Sequence, residues 1–233
     1  MLKRHLPLLL YISCSSNAVQ ADFIGLHTDA SNWFYHGSSL SQRSNLESDF
    51  STDNALQLSI AFEHPFPLLP NSKIKYSQLS GTANYNPTTL AADHTELTQS
   101  NYLLYYEILD TMINLDLGIG ITHLSGQMNF FTPSTIEQYQ LSSNVGALYL
   151  QASMQLPFTG LSTKTELTFS QSSDVTVKDL QAEIQYDFLR KSYLVDLGGK
   201  LGYRYMTVDL DFSEQNKVKQ EFKGPYLGLN LHF

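Results

Sequence analysis

Charged side chains of both signs recur within alternating apolar segments: Lys164 and Glu166, then Glu183, then Lys200 and Arg204. Turned into one enclosed space, such groups can pair with one another or line a narrow charge-selective conduit. Pairing is the ordinary expectation, because a narrow barrel fills its centre with side chains and buried charges need partners. Hydrolysis asks for a histidine beside carboxylates, within reach of a substrate. His27 lies two residues from Asp29, and His123 falls near the end of a candidate strand. No His–Asp pair with partner carboxylates is identifiable from the sequence. His27, His36, His64, His94, His123 and His232 show no metal-ligand spacing. Catalytic, metal and cofactor residues are therefore each expected to be none. An enzyme is not expected.

The elements that must carry these charges are strands. Leu56, Leu58, Ile60 and Phe62 alternate with polar or small residues, and so do Tyr102, Leu104, Tyr106 and Ile108. Ile113 to Ile121, Leu148 to Leu156, Leu161 to Phe169, Leu180 to Phe188, Val195 to Tyr203 and Leu227 to Phe233 repeat the pattern. A period of two is the signature of a half-apolar strand. With weaker candidates near 23–34 and 72–81, the count is about ten strands, mostly about 10–14 residues long, with eight as the alternative. A tilted strand needs roughly 9–11 residues to cross a bilayer. Ordinary globular strands average about half that length.

The links alternate too. Short ones are expected at 65–71, 110–111, 157–160 and 189–192, and long polar ones at about 35–53, 82–96 and 125–142. Two later links, near 172–175 and 212–218, are short on the long-loop side. Alternation alone also fits a soluble, lipocalin-like barrel. The polar face separates the two, because it holds Glu107, Asp116, Lys164, Glu166, Glu183, Lys200 and Arg204 while the opposite face is nearly uncharged. Lys or Arg facing lipid at the midplane costs roughly 2–4 kcal/mol, so a lipid face should lack them. Aromatics fall toward the strand ends: Phe62, Phe66, Phe158, Phe188 and Tyr193 near short turns, and Phe169, Tyr203 and Tyr205 near the loops. Amphipathic rings at both interfaces form such girdles.

Lys3 and Arg4, the apolar stretch Leu6–Ile12 and the small residues before Ala21 read as an export signal cleaved between Ala21 and Asp22. The expected domains are thus 1–21, a signal peptide, and 22–233, one outer-membrane barrel with both termini in the periplasm. Cleavage and lipidation at Cys14 is the other reading of this start. Cys14 is the single cysteine, so cleavage after Ala21 leaves none and excludes disulfides and thiolate chemistry. It also lowers the basic residues from 14 to 12 against 22 acidic ones, a formal charge of −10. Such a surface repels nucleic acid, and no nucleic-acid partner is expected.

The last eight residues run Tyr226-Leu227-Gly228-Leu229-Asn230-Leu231-His232-Phe233. Tyr226, Gly228, Leu231 and the terminal Phe233 are similar to the closing-strand signal of outer-membrane barrels, which implies recognition by the barrel assembly machinery. Trp33, Leu197-Gly198-Gly199-Lys200-Leu201-Gly202 and Gly224-Pro225-Tyr226-Leu227-Gly228 extend the likeness. On these residues the mature chain resembles the small proteobacterial outer-membrane barrel family named for its Gly-Gly motif. That resemblance implies a Gram-negative outer-membrane location and an antiparallel up-and-down transmembrane barrel, and brings no established activity. The expected role is structural or surface interaction, through loops rich in Ser, Thr, Asn and Gln with Phe50, Tyr85, Phe130 and Phe131. A narrow charge-lined pore for small polar solutes is the alternative. Outer-membrane lipid and lipopolysaccharide are the expected surroundings of a chain that acts as a monomer.

Overall fold

The computed structural model describes residues 24–41, 46–82, 94–132, 135–157, 159–189, 196–213 and 216–232. The signal-peptide reading, the Ala21–Asp22 junction, Cys14 and Phe233 lie outside them. Among the described residues eleven strands follow in chain order: β1 (Gly25–Ser41), β2 (Leu46–Asp49), β3 (Asp53–Glu63), β4 (Asn71–Thr82), β5 (His94–Asp110), β6 (Ile113–Thr132), β7 (Thr135–Gln155), β8 (Leu161–Gln171), β9 (Val175–Leu189), β10 (Asp196–Ser213) and β11 (Asn216–His232). All pairings are antiparallel, and β11 returns to β1 from His27↔His232 to Ser41↔Val218. Ten strands therefore close an up-and-down barrel, with no edge left unpaired through its central belt. The short β2 only extends the far end of β1. The weak candidates at 23–34 and 72–81 are full members, β1 and β4.

Connections of 64–70, 111–112 and 156–160 gather at one end, the short-turn end, together with Gly25 and His232. Gly160 supplies the positive φ, 78°, that a side chain would resist. The link between β9 and β10 lies outside the described residues. At the opposite, outer end, two expectations need correction. The 125–142 segment is not a long loop: β6 and β7 pair without a break from Ile113↔Met154 to Thr132↔Thr135. Its alternation is hidden because the outward residues, such as Gln127, Ser142 and Asn144, are polar where a lipid-facing strand would be apolar. Inward, Leu124, Met128, Leu141 and Val145 still keep the period of two. The 35–53 segment likewise contains the end of β1 and all of β2, and it folds Phe50 back into the barrel mouth.

Outward, the strands present one apolar band. Leu56, Ile60, Ile119, Leu148, Leu201 and Leu227 are each more than half exposed. Phe62, Phe66 and Phe188 lie toward the short turns and Tyr203 toward the outer side, all exposed; Phe158 and Tyr193 lie outside the described residues. The outward-facing described lysines, Lys178, Lys217, Lys219 and Lys223, all sit at the outer ends of β9 and β11. A soluble barrel would bury this face or break it with charge.

Inside, three layers succeed one another along the axis. Trp33, Tyr35, Phe50, Leu97, Met206 and Phe222 belong to an apolar cluster that fills the outer part. Charged and amide side chains fill the middle. An open vestibule occupies the short-turn end.

Candidate functional site

The charged side chains of the middle layer come from inward positions on five strands. β4 contributes Lys73 and Lys75, two residues apart and so on one face. β1 brings Asp29, β8 brings Lys164 and Glu166, β9 brings Asp179 and Glu183, and β10 brings Lys200 and Arg204. The β8–β9 hairpin turns tightly, with the Ser172 N–H donating to the Val175 carbonyl at 2.8 Å, and this sets Lys164 opposite Glu183. Lys164 Nζ lies 2.7 Å from Glu183 Oε1. Lys200 lies diagonal to the same carboxylate, 3.7 Å from Oε2, and 2.9 Å from Asp29 Oδ1. Tyr226 donates its hydroxyl to Glu183 Oε2 at 2.6 Å. Its ring crosses the lumen face of Gly202, where any Cβ would collide with it.

Glu166 is the second centre. Both Lys73 and Lys75 donate to its carboxylate, and the Tyr149 hydroxyl adds a contact at 3.2 Å. Lys73 also donates to the Tyr149 hydroxyl at 3.0 Å and to Gln151 Oε1 at 3.2 Å. Arg204 forms the third centre, with Nε and Nη2 reaching the two Asp179 oxygens at 2.9 and 2.8 Å. Nη2 also donates to Gln99 Oε1 at 2.8 Å, and the guanidinium stands 4.5 Å from the Trp33 ring centroid. Trp33 is fixed in turn by donating Nε1–H to the Gly224 carbonyl at 3.1 Å. Arg204 thereby joins the charge layer to the apolar layer above.

Sequence reasoning named Lys164, Glu166, Glu183, Lys200 and Arg204, and the structure brings all five into this layer. It missed Lys73, Lys75, Asp29 and Asp179, which hold the opposite charges for Glu166, Lys200 and Arg204. The missing signal was available in Asn71, Lys73, Lys75, Ser77 and Leu79, which alternate with Ile74 and Tyr76.

The layer is nearly solid. The void left among these side chains is about 30 Å³, room for one or two waters. Above it the apolar cluster closes the lumen again. The histidines stand elsewhere. His123 faces outward and bonds Asn144 at 2.8 Å, while His27 stacks on His232 at the short-turn end, 3.9 Å between centroids, and reaches Glu63 at 3.0 Å. Asp29 is committed to Lys200 and to the Ser59 hydroxyl, not to His27. Among the described residues no group of three His, Cys, Asp or Glu is arranged to hold a metal ion.

The whole is a closed ten-stranded barrel with an oily exterior and a charged interior. The solved structures it resembles are outer-membrane barrels. No family model and no curated protein matches the chain. Outer membrane protease OmpT from Escherichia coli is similar at 8% identity and a TM-score of 0.48, over 92% of this chain and 99% of that one. The translocator domain of the autotransporter NalP from Neisseria meningitidis gives 9% and 0.43, over 88% of each chain. Ail, the attachment invasion locus protein of Yersinia pestis, gives 11% and 0.35, over 89% of this chain and 98% of its own.

The Gly-Gly pair has a local physical role in this barrel. Gly198 faces inward, where a Cβ would meet Asn230 Oδ1 and Asp187 Oδ1 at 2.5 and 2.6 Å. Gly199 faces outward under the Phe188 ring, 2.9 Å from where its Cβ would be. An aromatic covering a strand glycine is a known device for restoring packing there.

Replacing Arg204 by Lys should lose the two-pronged bond to Asp179 and the stacking on Trp33. The expected cost is about 1.5–3 kcal/mol, the value of a hydrogen bond to a charged group. Trp33 is the chain's single tryptophan, so its emission reports this site directly. A red-shifted emission and a lower urea midpoint are expected; an unchanged spectrum would contradict the assigned coupling.

Proposed function

We propose that the chain is an integral outer-membrane barrel with a sealed lumen, serving a structural or surface-interaction role. The supporting observation is the division of its side chains: an uninterrupted apolar band outside, and charges neutralising one another inside. With the short-turn end in the periplasm, both termini lie there and the β6–β7 arm stands on the cell exterior. β8 pairs with β7 only from Ala147↔Ser170 downward, so the β6–β7 hairpin projects beyond that pairing. A hairpin projecting from the outer rim offers surface for contact, which supports surface interaction. Outer-membrane lipid and lipopolysaccharide would surround the band. Tyr226, Gly228, Leu231 and Phe233 would present the assembly signal during insertion, and the barrel would work as a monomer. No nucleic acid is a partner and no catalysis is assigned.

The detergent-folded chain should show heat-modifiable gel migration and fractionate with outer membranes. In planar bilayers it should give no conductance steps. Reproducible steps that change with Lys200→Ala or Glu183→Ala would establish the charge-lined conduit instead, and recovery of soluble monomer without detergent would refute membrane residence.

A further inference from the structure

The link between β3 and β4, residues 64–70, reads His-Pro-Phe-Pro-Leu-Leu-Pro. Turns are dominated by Gly, Pro, Asn, Asp and Ser. This one joins its prolines to three large apolar side chains, with Phe66 61% exposed, Leu68 88% and Leu69 57%. Phe66 and Leu69 border the vestibule rim, whereas Leu68 stands outside it.

The turn continues the apolar outer face of the strands. Phe62, outward on β3, lies 6.1 Å from the His64 ring, and His64 lies 5.8 Å from Phe66, centroid to centroid. The row of outward rings thus runs on past the end of the strand. Tyr106, outward on β5, donates its hydroxyl to the Leu68 carbonyl at 3.2 Å and holds the turn against that same face.

The backbone of the turn asks little of water. Pro65, Pro67 and Pro70 have no N–H to satisfy. His64 N–H donates to Asn71 Oδ1 at 3.1 Å, Phe66 N–H to His64 Nδ1 at 3.2 Å and Leu69 N–H to the Phe66 carbonyl at 3.2 Å. Because Nδ1 accepts, the ring proton sits on Nε2, which donates to the Pro70 carbonyl at 3.2 Å. A segment that enters lipid must satisfy its polar groups internally. A protein docking through hydrogen bonds would need such groups left open.

Height along the barrel points the same way. A strand tilted by about 40° advances roughly 2.5 Å per residue along the axis, so an apolar layer about 25 Å tall spans about ten residues. Toward the outer end, the outward side of β3 turns polar at Asn54 and that of β4 at Gln78. Counting about ten residues from Asn54 reaches His64, and from Gln78 it reaches Leu68. Both strands of this hairpin run out before the layer does, and the turn completes it.

We propose that the β3–β4 turn is a lipid anchor, with Phe66 and Leu68 seated among phospholipid acyl chains just beneath the headgroups of the leaflet at the short-turn end. The anchor rests on the membrane reading above, and adds that this part of the rim lies within the bilayer rather than in the water beneath it.

Tryptophan placed at Leu68 tests it, in chains folded into phosphatidylcholine vesicles. One set of vesicles carries bromine near the carbonyl end of the acyl chains, another near the methyl end. Trp33, enclosed in the lumen, is common to every variant and is subtracted with the wild-type chain. The emission added by Leu68→Trp should be quenched most by bromine near the carbonyl end, and acrylamide in the water should reach it poorly. Ile119→Trp in mid-band should be quenched most near the methyl end, and Ser142→Trp on the outer arm by acrylamide alone. Heat-modifiable migration confirms that each variant is folded. Tryptophan itself favours interfaces, so a residue without that preference gives the second readout. In a Cys14→Ser background, Leu68→Cys should react with iodoacetamide more slowly than Ser142→Cys. Lipid quenching at 119 but not at 68, or equal thiol rates at 68 and 142, would overturn the anchor and leave the membrane reading standing. A periplasmic protein would then be the partner to seek for the turn. Lipid quenching at neither 68 nor 119 would refute the anchor and the membrane reading together.

Discussion

Replacing Glu166 by Gln is expected to lower the stability of the folded barrel by about 3–5 kcal/mol, the scale for removing one partner of a buried ion pair. Glu166 is 4% exposed and receives both Lys73 and Lys75. Lys75 has a further carboxylate within reach, Asp179 at 4.0 Å, but that group is already held by Arg204. Glutamine keeps the shape and loses the charge, leaving two buried ammonium groups facing a neutral amide. Urea unfolding followed through Trp33 emission and heat-modifiable migration would read the loss. The exposed Glu96→Gln should stay within about 0.5 kcal/mol of wild type. Replacing Lys73, Lys75 and Glu166 together by Met should recover part of the deficit, since a buried ion triad can give way to packed apolar groups with little loss. If Glu166→Gln matched wild type, the layer would be hydrated and its charges screened.

Much of this arrangement could be read from the chain because the period of two survives wherever one face meets an apolar medium. Leu56 to Phe62 and Ile113 to Ile121 carry it plainly. The pairing of Lys164 with Glu183 followed from one tight hairpin, because a short turn fixes register. Long-range partners were not legible. Nothing local says that Lys73 meets Glu166, 93 positions away; that contact exists only because the sheet closes and brings β4 across the lumen to β8. The β6–β7 arm was missed for a different reason. Beyond the apolar band the outward face turns polar, so the outward half of the pattern vanishes while the inward half and the backbone pairing continue.

The same contrast between faces yields a decisive substitution. Ile119 is 65% exposed and lies in mid-band on β6, beside Leu104 on one neighbour and Leu148 on the other. If the band faces hydrocarbon, Ile119→Arg should cost about 2–4 kcal/mol, because no water is there to solvate the guanidinium. If it faces water, the same exposed change should fall within about 0.5 kcal/mol, since it disturbs no packed neighbour. Reversible unfolding in lipid vesicles measures the difference directly. A second arginine at Gln127, outward on the same strand but beyond the band, should be tolerated in either case. The pair of substitutions therefore locates the boundary of the lipid layer along β6: a penalty at 119 and none at 127 places it between them. Equal tolerance at both positions would mean that the apolar band faces water, and the membrane assignment would fall with it.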